Sequence, residues 1–189
     1  MRARVGHTLL EVIIAMTIAA VILAALYEIL YRARMSVDNS SSISQAQLDA
    51  NELVSRIEDE LRQAGSTSPD WSLSEAGDAI TFNRCLGAED GVVSWDVPWT
   101  ITVQPGETDV SDGIDNNGNG LVDEMSLVVL DPSTSGVRET WAANVAPAGL
   151  VFLLNGKNLA INLTLEVAGA KPGAAPISVS ASGAVSLRN

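Results

Sequence analysis

The feature that most constrains this chain is an apolar run near its start. From Thr8 to Tyr27 the sequence reads TLLEVIIAMTIAAVILAALY, and Glu11 is its one charged residue. A helix rises about 1.5 Å per residue, so about 20 such residues cover the hydrocarbon core of a bilayer. Residues 8–27 are therefore a candidate transmembrane helix, and any globular domain must be built from the residues C-terminal to it. Arg2 and Arg4 before the run are balanced by Arg32 and Arg34 after it, so flanking charge does not fix the direction of crossing.

Glu11 asks for a functional explanation. A carboxylate in lipid costs at least about 2.5 kcal/mol, and a secretory signal peptide has its cleavage site after the apolar region rather than before it. Here a short basic leader, MRARVG, gives way directly to the apolar helix, and the acid lies near the start of that helix.

The heptapeptide Gly6-His7-Thr8-Leu9-Leu10-Glu11-Val12 resembles the class III signal of the type IV pilin and type II secretion pseudopilin superfamily. The resemblance implies that a prepilin peptidase cuts after Gly6 and methylates the new terminal amine, so that the mature chain begins at His7. It also implies that Glu11 guides assembly by meeting the N-terminal amine of a neighbouring subunit, since a carboxylate in hydrocarbon is tolerable beside a cation. The family usually has Phe at the position of His7. Leu48 to Gly65, LDANELVSRIEDELRQAG, and the terminal VSLRN are similar to the corresponding parts of J-type minor pseudopilins and PilW-like minor pilins. K-type tip pseudopilins lack the helix acid, so Glu11 argues against that subtype.

Beyond the span, Ser36 to Ser44 (SVDNSSSIS) predicts fraying or a bend, because Ser, Asn and Asp side chains compete for backbone hydrogen bonds. Helical periodicity returns with Ile43, Ala46, Ala50, Leu53 or Val54, Ile57, Leu61 and Ala64, which line one face. Asp49, Glu52, Glu58, Asp59 and Arg62 fall mostly off this stripe, and Gly65 stands where a helix stop belongs.

After Gly65 short β-type runs alternate with Gly, Pro, Asp and Ser. Ala79 to Cys85, Gly91 to Val97 and Trp99 to Gln104 are three of them. The clearest hairpin joins Leu150–Leu154 to Leu159–Val167 through Asn155, Gly156, Lys157 and Asn158. In its second strand Leu159, Ile161, Leu163, Leu165 and Val167 alternate with Ala160, Asn162, Thr164 and Glu166, so one face is buried. GAKPGAAP at 169–176 breaks the pattern before a last strand at Ile177 to Leu187, expected at a sheet edge.

A second motif is DGIDNNGNGLVDE, Asp112 to Glu124. Asp115, Asn117, Asn119 and Asp123 offer oxygens at alternate positions, Gly120 supplies the turn and Leu121 its carbonyl, like the start of a calcium loop. Ser126 stands where an EF-hand has its bidentate Glu, so Asp112 or Glu124 has to compensate. With two neutral Asn ligands the affinity expected for Ca2+ is about 0.1 to 1 mM, which suits a structural ion. The plainer alternative is an Asn-Gly turn between strands.

Composition excludes several functions. The charge of -12 repels a phosphate backbone, so no nucleic-acid partner is expected. His7 is the only histidine and Cys85 the only cysteine, which leaves no Ser-His-Asp triad, Cys-His pair, multi-histidine zinc site or intrachain disulfide. Cys85 is expected to be buried packing, and Trp71, Trp95, Trp99 and Trp141 core or half-buried.

The expected protein is thus α+β and pilin-like, and not an enzyme. Residues 1–6 form the leader, 7–65 a long helix (transmembrane at 8–27, amphipathic at 43–64), and 66–189 a β-rich head with a calcium-type loop at 112–124. The resemblance implies a single-pass protein of the inner membrane with its head in the periplasm or outside the cell. The partners it implies are the inner membrane, the prepilin peptidase and other pilins or pseudopilins, in a type II secretion pseudopilus, its tip, or a type IV pilus. Two rivals are a secreted calcium-dependent binding module, cleaved near Ala24 or Ala25, and a membrane-tethered enzyme.

Overall fold

The computed structural model describes residues 8–64, 68–106, 112–131, 136–169 and 175–187. One helix, α1 (Leu9–Ala64), is followed by strands β1 (Ser72–Leu73), β2 (Ala79–Glu89), β3 (Val92–Pro105), β4 (Met125–Asp131), β5 (Gly136–Asn155), β6 (Asn158–Val167) and β7 (Ile177–Ser186). The chain divides into two compact units, Met1–Ser41 and Ser42–Asn189.

In the first unit α1 is apolar on every side from Val12 to Tyr27 and remains exposed, with Leu9 at 82% and Leu23 at 66% of full exposure. Ser36–Ser44 does not fray: it is helical throughout. Its polar side chains bond along the helix instead of replacing its ladder, as where the Ser41 hydroxyl donates back to the Asp38 carbonyl at 3.2 Å.

In the second unit the same helix becomes one-sided. Ala46, Ala50, Val54, Ile57, Leu61 and Ala64 are buried at three- and four-residue spacing, and all but Ala46 join one core with the inward side chains of the sheet. Gly65 lies outside the described residues. The architecture is a long N-terminal apolar helix whose C-terminal part packs on a seven-stranded antiparallel sheet, α+β and pilin-like as the sequence predicts.

The strands pair in chain order, β1 to β7, as an antiparallel meander. At the expected hairpin Leu154 pairs with Leu159 and Asn155 with Asn158, and Gly156 takes φ +64 in the turn, a conformation that glycine adopts without steric cost. Leu159, Ile161, Leu163 and Leu165 are at most 1% exposed and share the core with the helix stripe, while Asn162 on the opposite face is wet. β7 is an edge strand, paired only with β6.

Three departures from the sequence reading have physical causes. Apart from Gly91, which lies in the turn, Gly91–Val97 and Trp99–Gln104 belong to one strand, β3, which continues through Pro98. The proline is tolerated because pairing of β3 with β4 begins only at Thr100, so its missing N–H breaks no ladder on that side. β4, a strand that the sequence reading does not include, runs MSLVVLD with Leu127, Val128 and Val129 all buried. A central strand covered on both faces shows no alternation to detect. Cys85 is exposed, not buried, because residues 85–94 of the β2–β3 hairpin all lie on the surface.

β5 pairs with β4 up to Val145 and with β6 from Val145 onward, the register with β6 shifting between Val145 and Leu150. At the shift Gly149 is required, since a Cβ there would sit 2.6 Å from the Thr164 carbonyl oxygen. Helix and sheet are also tied by polar contacts. The Glu58 carboxylate accepts the Ala184 N–H of β7 at 2.9 Å, and the Gln47 amide donates to the Ser180 carbonyl at 3.2 Å.

Candidate functional site

Gly6 and His7, where processing is expected, lie outside the described residues. The described chain begins one residue later with a helix cap. Thr8 precedes the first helical residue, and its hydroxyl and carbonyl both accept the Glu11 N–H, at 3.3 and 3.0 Å. Thr8-Leu9-Leu10-Glu11 has the Thr-x-x-Glu spacing of a capping box, a signal present in the sequence that the family resemblance alone does not point to. An acid in the first turn also faces the positive end of the helix dipole. Glu11 therefore has a local reason to stand where it does, in addition to any role between subunits.

Behind this cap, α1 is the one helix among the described residues long and apolar enough to cross a membrane. Tyr27 and Tyr31 close the apolar stretch, stacked with ring centroids 6.4 Å apart, and Arg32 forms an ion pair with Glu28 on the same turns. Tyrosines at the end of an apolar run suit the headgroup region, where the ring is buried and the hydroxyl stays wet.

The second candidate is the 112–124 loop. Asp115 folds the backbone round itself, its carboxylate oxygens accepting Gly118 N–H at 2.6 Å and Gly120 N–H at 2.8 Å. Asn117 and Asn119 repeat the motif, their side-chain oxygens accepting the N–H of Asn119 and Leu121 at 2.9 and 2.8 Å. Gly120 has φ +86. Asp123, itself at φ +56, closes the loop by accepting the N–H groups of Asp112 and Gly113. Asp112 accepts Ile114 N–H at 3.0 Å.

Two residues pin this loop to the head. Leu121 is 5% exposed and Glu124 2% exposed. The Oε1 atom of Glu124 accepts N–H bonds from the Asn117 and Asn119 amides, the former at 2.7 Å. Glu166 on β6 stands near it, and burial foremost, then the Glu124 charge, raises the Glu166 carboxyl above the usual carboxylate range. The structure thus gathers Asp115, Asn117, Asn119 and Glu124, with Asp112 and Asp123 at the loop's closure.

Every donor named is a hard oxygen, and each side-chain oxygen that accepts one backbone N–H retains a second lone pair, so the chemistry suits calcium. Among the described residues no three His, Cys, Asp or Glu side chains converge as metal ligands. A cation would draw part of its shell from Asn oxygens and the Leu121 carbonyl.

Residues 1–27 match the family described as the prokaryotic N-terminal methylation motif. The match covers the leader, the cap, Glu11 and the whole apolar run. It supports a structural subunit of the pilin or pseudopilin class. The class III signal implies processing by prepilin peptidase and assembly with other pilins, and with the apolar helix it fits a single-pass anchor in the inner membrane. No curated protein and no solved structure matches the chain.

Proposed function

We propose that this chain is a minor pseudopilin, built into a type II secretion pseudopilus or its tip, with the apolar part of α1 in the inner membrane and the β-sheet head in the periplasm. The observation that carries the reading is the methylation motif over residues 1–27 with Glu11 inside its apolar helix. Its work is assembly: apolar helices of neighbouring subunits pack together, and Glu11 meets the methylated amine of His7 on the next chain. A carboxylate among hydrocarbon is stabilised by that cation, so the pair sets the register between helices. Leu48–Gly65 is similar to both J-type minor pseudopilins and PilW-like minor pilins, so a type IV pilus minor pilin is the second reading within the family.

The test is the intact mass and N-terminal sequence of protein recovered from membranes that contain its own prepilin peptidase. A methylated chain beginning at His7 is expected. An uncut Met1, or a cut near Ala24 or Ala25, overturns the reading and leaves an anchored or secreted module in its place.

A structural calcium ion in the 112–124 loop is the second part of the proposal, favoured by Asp115, Asn117 and Asn119 at alternate positions before Gly120 with Glu124 behind them. Asp112, Asp123 and the Leu121 carbonyl are the further oxygens on offer. The ion's role is to hold together a loop that has no disulfide. Calcium at about thirtyfold over its Kd should raise stability by about 2 kcal/mol. Thermal unfolding of the full chain with calcium or chelator measures this, and Asp115→Ala should abolish the difference. Equal melting in both conditions removes calcium from the proposal and leaves an Asn-Gly turn.

A further inference from the structure

A cleft of about 280 Å3 opens between the C-terminal part of α1 and the sheet. Its less exposed lining is Leu53, Ala142, Leu165, the Trp141 ring and Asn144, and the exposed Asp49, Glu52 and Arg56 stand at its rim. The volume is just under the roughly 300 to 1,000 Å3 of sites for drug-sized ligands and cofactors. One long side chain with its neighbouring backbone is the better match in size.

Charge decides which side chain. Arg56 is already engaged: its guanidinium lies 2.8 Å from Glu139 Oε2 and stacks 4.3 Å over the Trp141 ring. Trp141 Nε1 donates to that same Glu139 oxygen at 2.8 Å, so the aromatic wall is held in place. The Trp141 hydrogen bond foremost, opposed by burial and aided by Arg56 and Arg84, keeps the Glu139 carboxyl below the usual carboxylate range. Asp49 accepts a bond from the neutral Gln45 amide, and among the described residues no cation pairs with Asp49 or Glu52. These acids stand at i and i+3 on the helix and face the same opening. The rim is thus net negative over an apolar floor. Such a site favours an aliphatic stem that ends in a cation, with the stem on the floor and the charge at the wet rim.

A second copy of this chain is a poor source of that cation. Each copy carries a net charge of -12, so two copies repel. Among the described residues of the head, Arg56, Arg62, Arg84 and Arg138 are all paired with carboxylates already, which leaves the exposed Lys157 as the one cation that a second copy could offer against that repulsion.

We propose that this cleft receives a lysine or arginine side chain presented by a different subunit of the filament. The idea rests on the proposed assembly function and gives that assembly a specific contact.

The test uses the full chain in detergent micelles, labelled with 5-fluorotryptophan, with the Trp141 resonance assigned by Trp141→Phe. The probe is Nα-acetyl-lysine-N-methylamide, and the control is its norleucine counterpart, which has the stem without the charge. The lysine probe should shift the Trp141 resonance saturably. The Asp49→Asn/Glu52→Gln double variant should bind it at least about fivefold more weakly, the scale of two partly exposed charge contacts. Unmoved Trp71, Trp95 and Trp99 resonances would show that the variant is folded. No saturable shift, an equal response to norleucine, or unchanged affinity in the double variant overturns the proposal. So does a Trp141 shift that grows with the chain's own concentration, which names a second copy as occupant. Because the titration does not depend on processing, it fails separately from the assembly function: a methylated His7 with a silent Trp141 sinks the cleft alone.

Discussion

The two parts of α1 belong to one helix and live by different rules. From Leu9 to Tyr31 its large apolar side chains are exposed, and side-chain bonds such as Thr17 to the Ile13 carbonyl and Arg32 to Glu28 run along the helix. From Ala46 to Ala64 a buried stripe of six residues faces the sheet, and Gln47, Arg56, Glu58 and Glu60 reach strands far away in sequence. A helix apolar all round needs apolar surroundings from outside its own chain, whereas an amphipathic one finds them within its own fold. The first part is therefore built to be solvated by lipid or by sister helices, and the second to be a layer of the head.

The sharpest way to break this comparison is to truncate one leucine in each part. Leu61 is 0% exposed and Leu23 is 66% exposed. Leu61→Ala should cost the head about 2 to 5 kcal/mol through lost burial and the cavity left behind. Leu23→Ala should change head stability by less than about 0.5 kcal/mol. Urea unfolding of the full chain in detergent, followed by tryptophan fluorescence, measures both; equal losses would mean that the two parts do not differ as described.

The next largest effect is expected at Gly183, where a Cβ would come within 2.6 Å of Val54 Cγ1 and would also meet the Glu58 carboxylate. Gly183→Ala should cost about 1 to 3 kcal/mol in the same unfolding measurement, by forcing helix and β7 apart. A neutral result would show that the second part of the helix is held less tightly than its burial implies.

Glu60 and Arg84 then test the polar ties. Their side chains are 13% and 26% exposed, with the contacting atoms 2.6 Å apart, and Arg84 also lies 3.3 Å over the Trp99 ring. Glu60→Ala should cost about 1 to 2 kcal/mol, more than a surface pair because the arginine left behind is half-buried. The exposed pair of Arg62 with Asp59 should by contrast contribute less than about 1 kcal/mol, checked by Asp59→Ala.

The smallest effect expected is on pH dependence. Glu139 titrates below its ordinary value of 4.5 when the protein is folded. Its contribution to stability is therefore complete above that value and lost as pH falls through the lower, folded one. Glu139→Gln should lower stability slightly at neutral pH, where that contribution is complete, and converge with the parent below the folded value, so that the acid limb of stability against pH is slightly flatter. A steeper acid limb in the variant would reverse the sign of this assignment.

Much of the fold is legible in the sequence because local chemistry and tertiary environment agree. The spacing of Ala46, Ala50, Val54, Ile57, Leu61 and Ala64 announces the buried face, and the alternation from Leu159 to Leu165 announces a half-buried strand. Asn155-Gly156 marks the turn between β5 and β6. β4 is not legible, since Leu127, Val128 and Val129 are buried on both faces and erase the period on which such a reading depends. Cys85 is misplaced for the converse reason: a strand-like pattern does not say whether other strands cover the hairpin. At the N-terminus Glu11 is legible as an anomaly, and its Thr8 cap is legible too, in the Thr-x-x-Glu spacing.

The sequence by itself determined that this chain has an apolar helix with an acid near its start, an amphipathic continuation and a β-rich remainder, because these depend on the order and period of residues along the chain. Only the tertiary structure decided which carboxylates meet which partners. Glu58 of the helix against β7, Glu124 beside two asparagine amides, and Asp49 with Glu52 at the mouth of a cleft are juxtapositions made by the sheet order and the helix facing it. They depend on distances in space that no local pattern encodes.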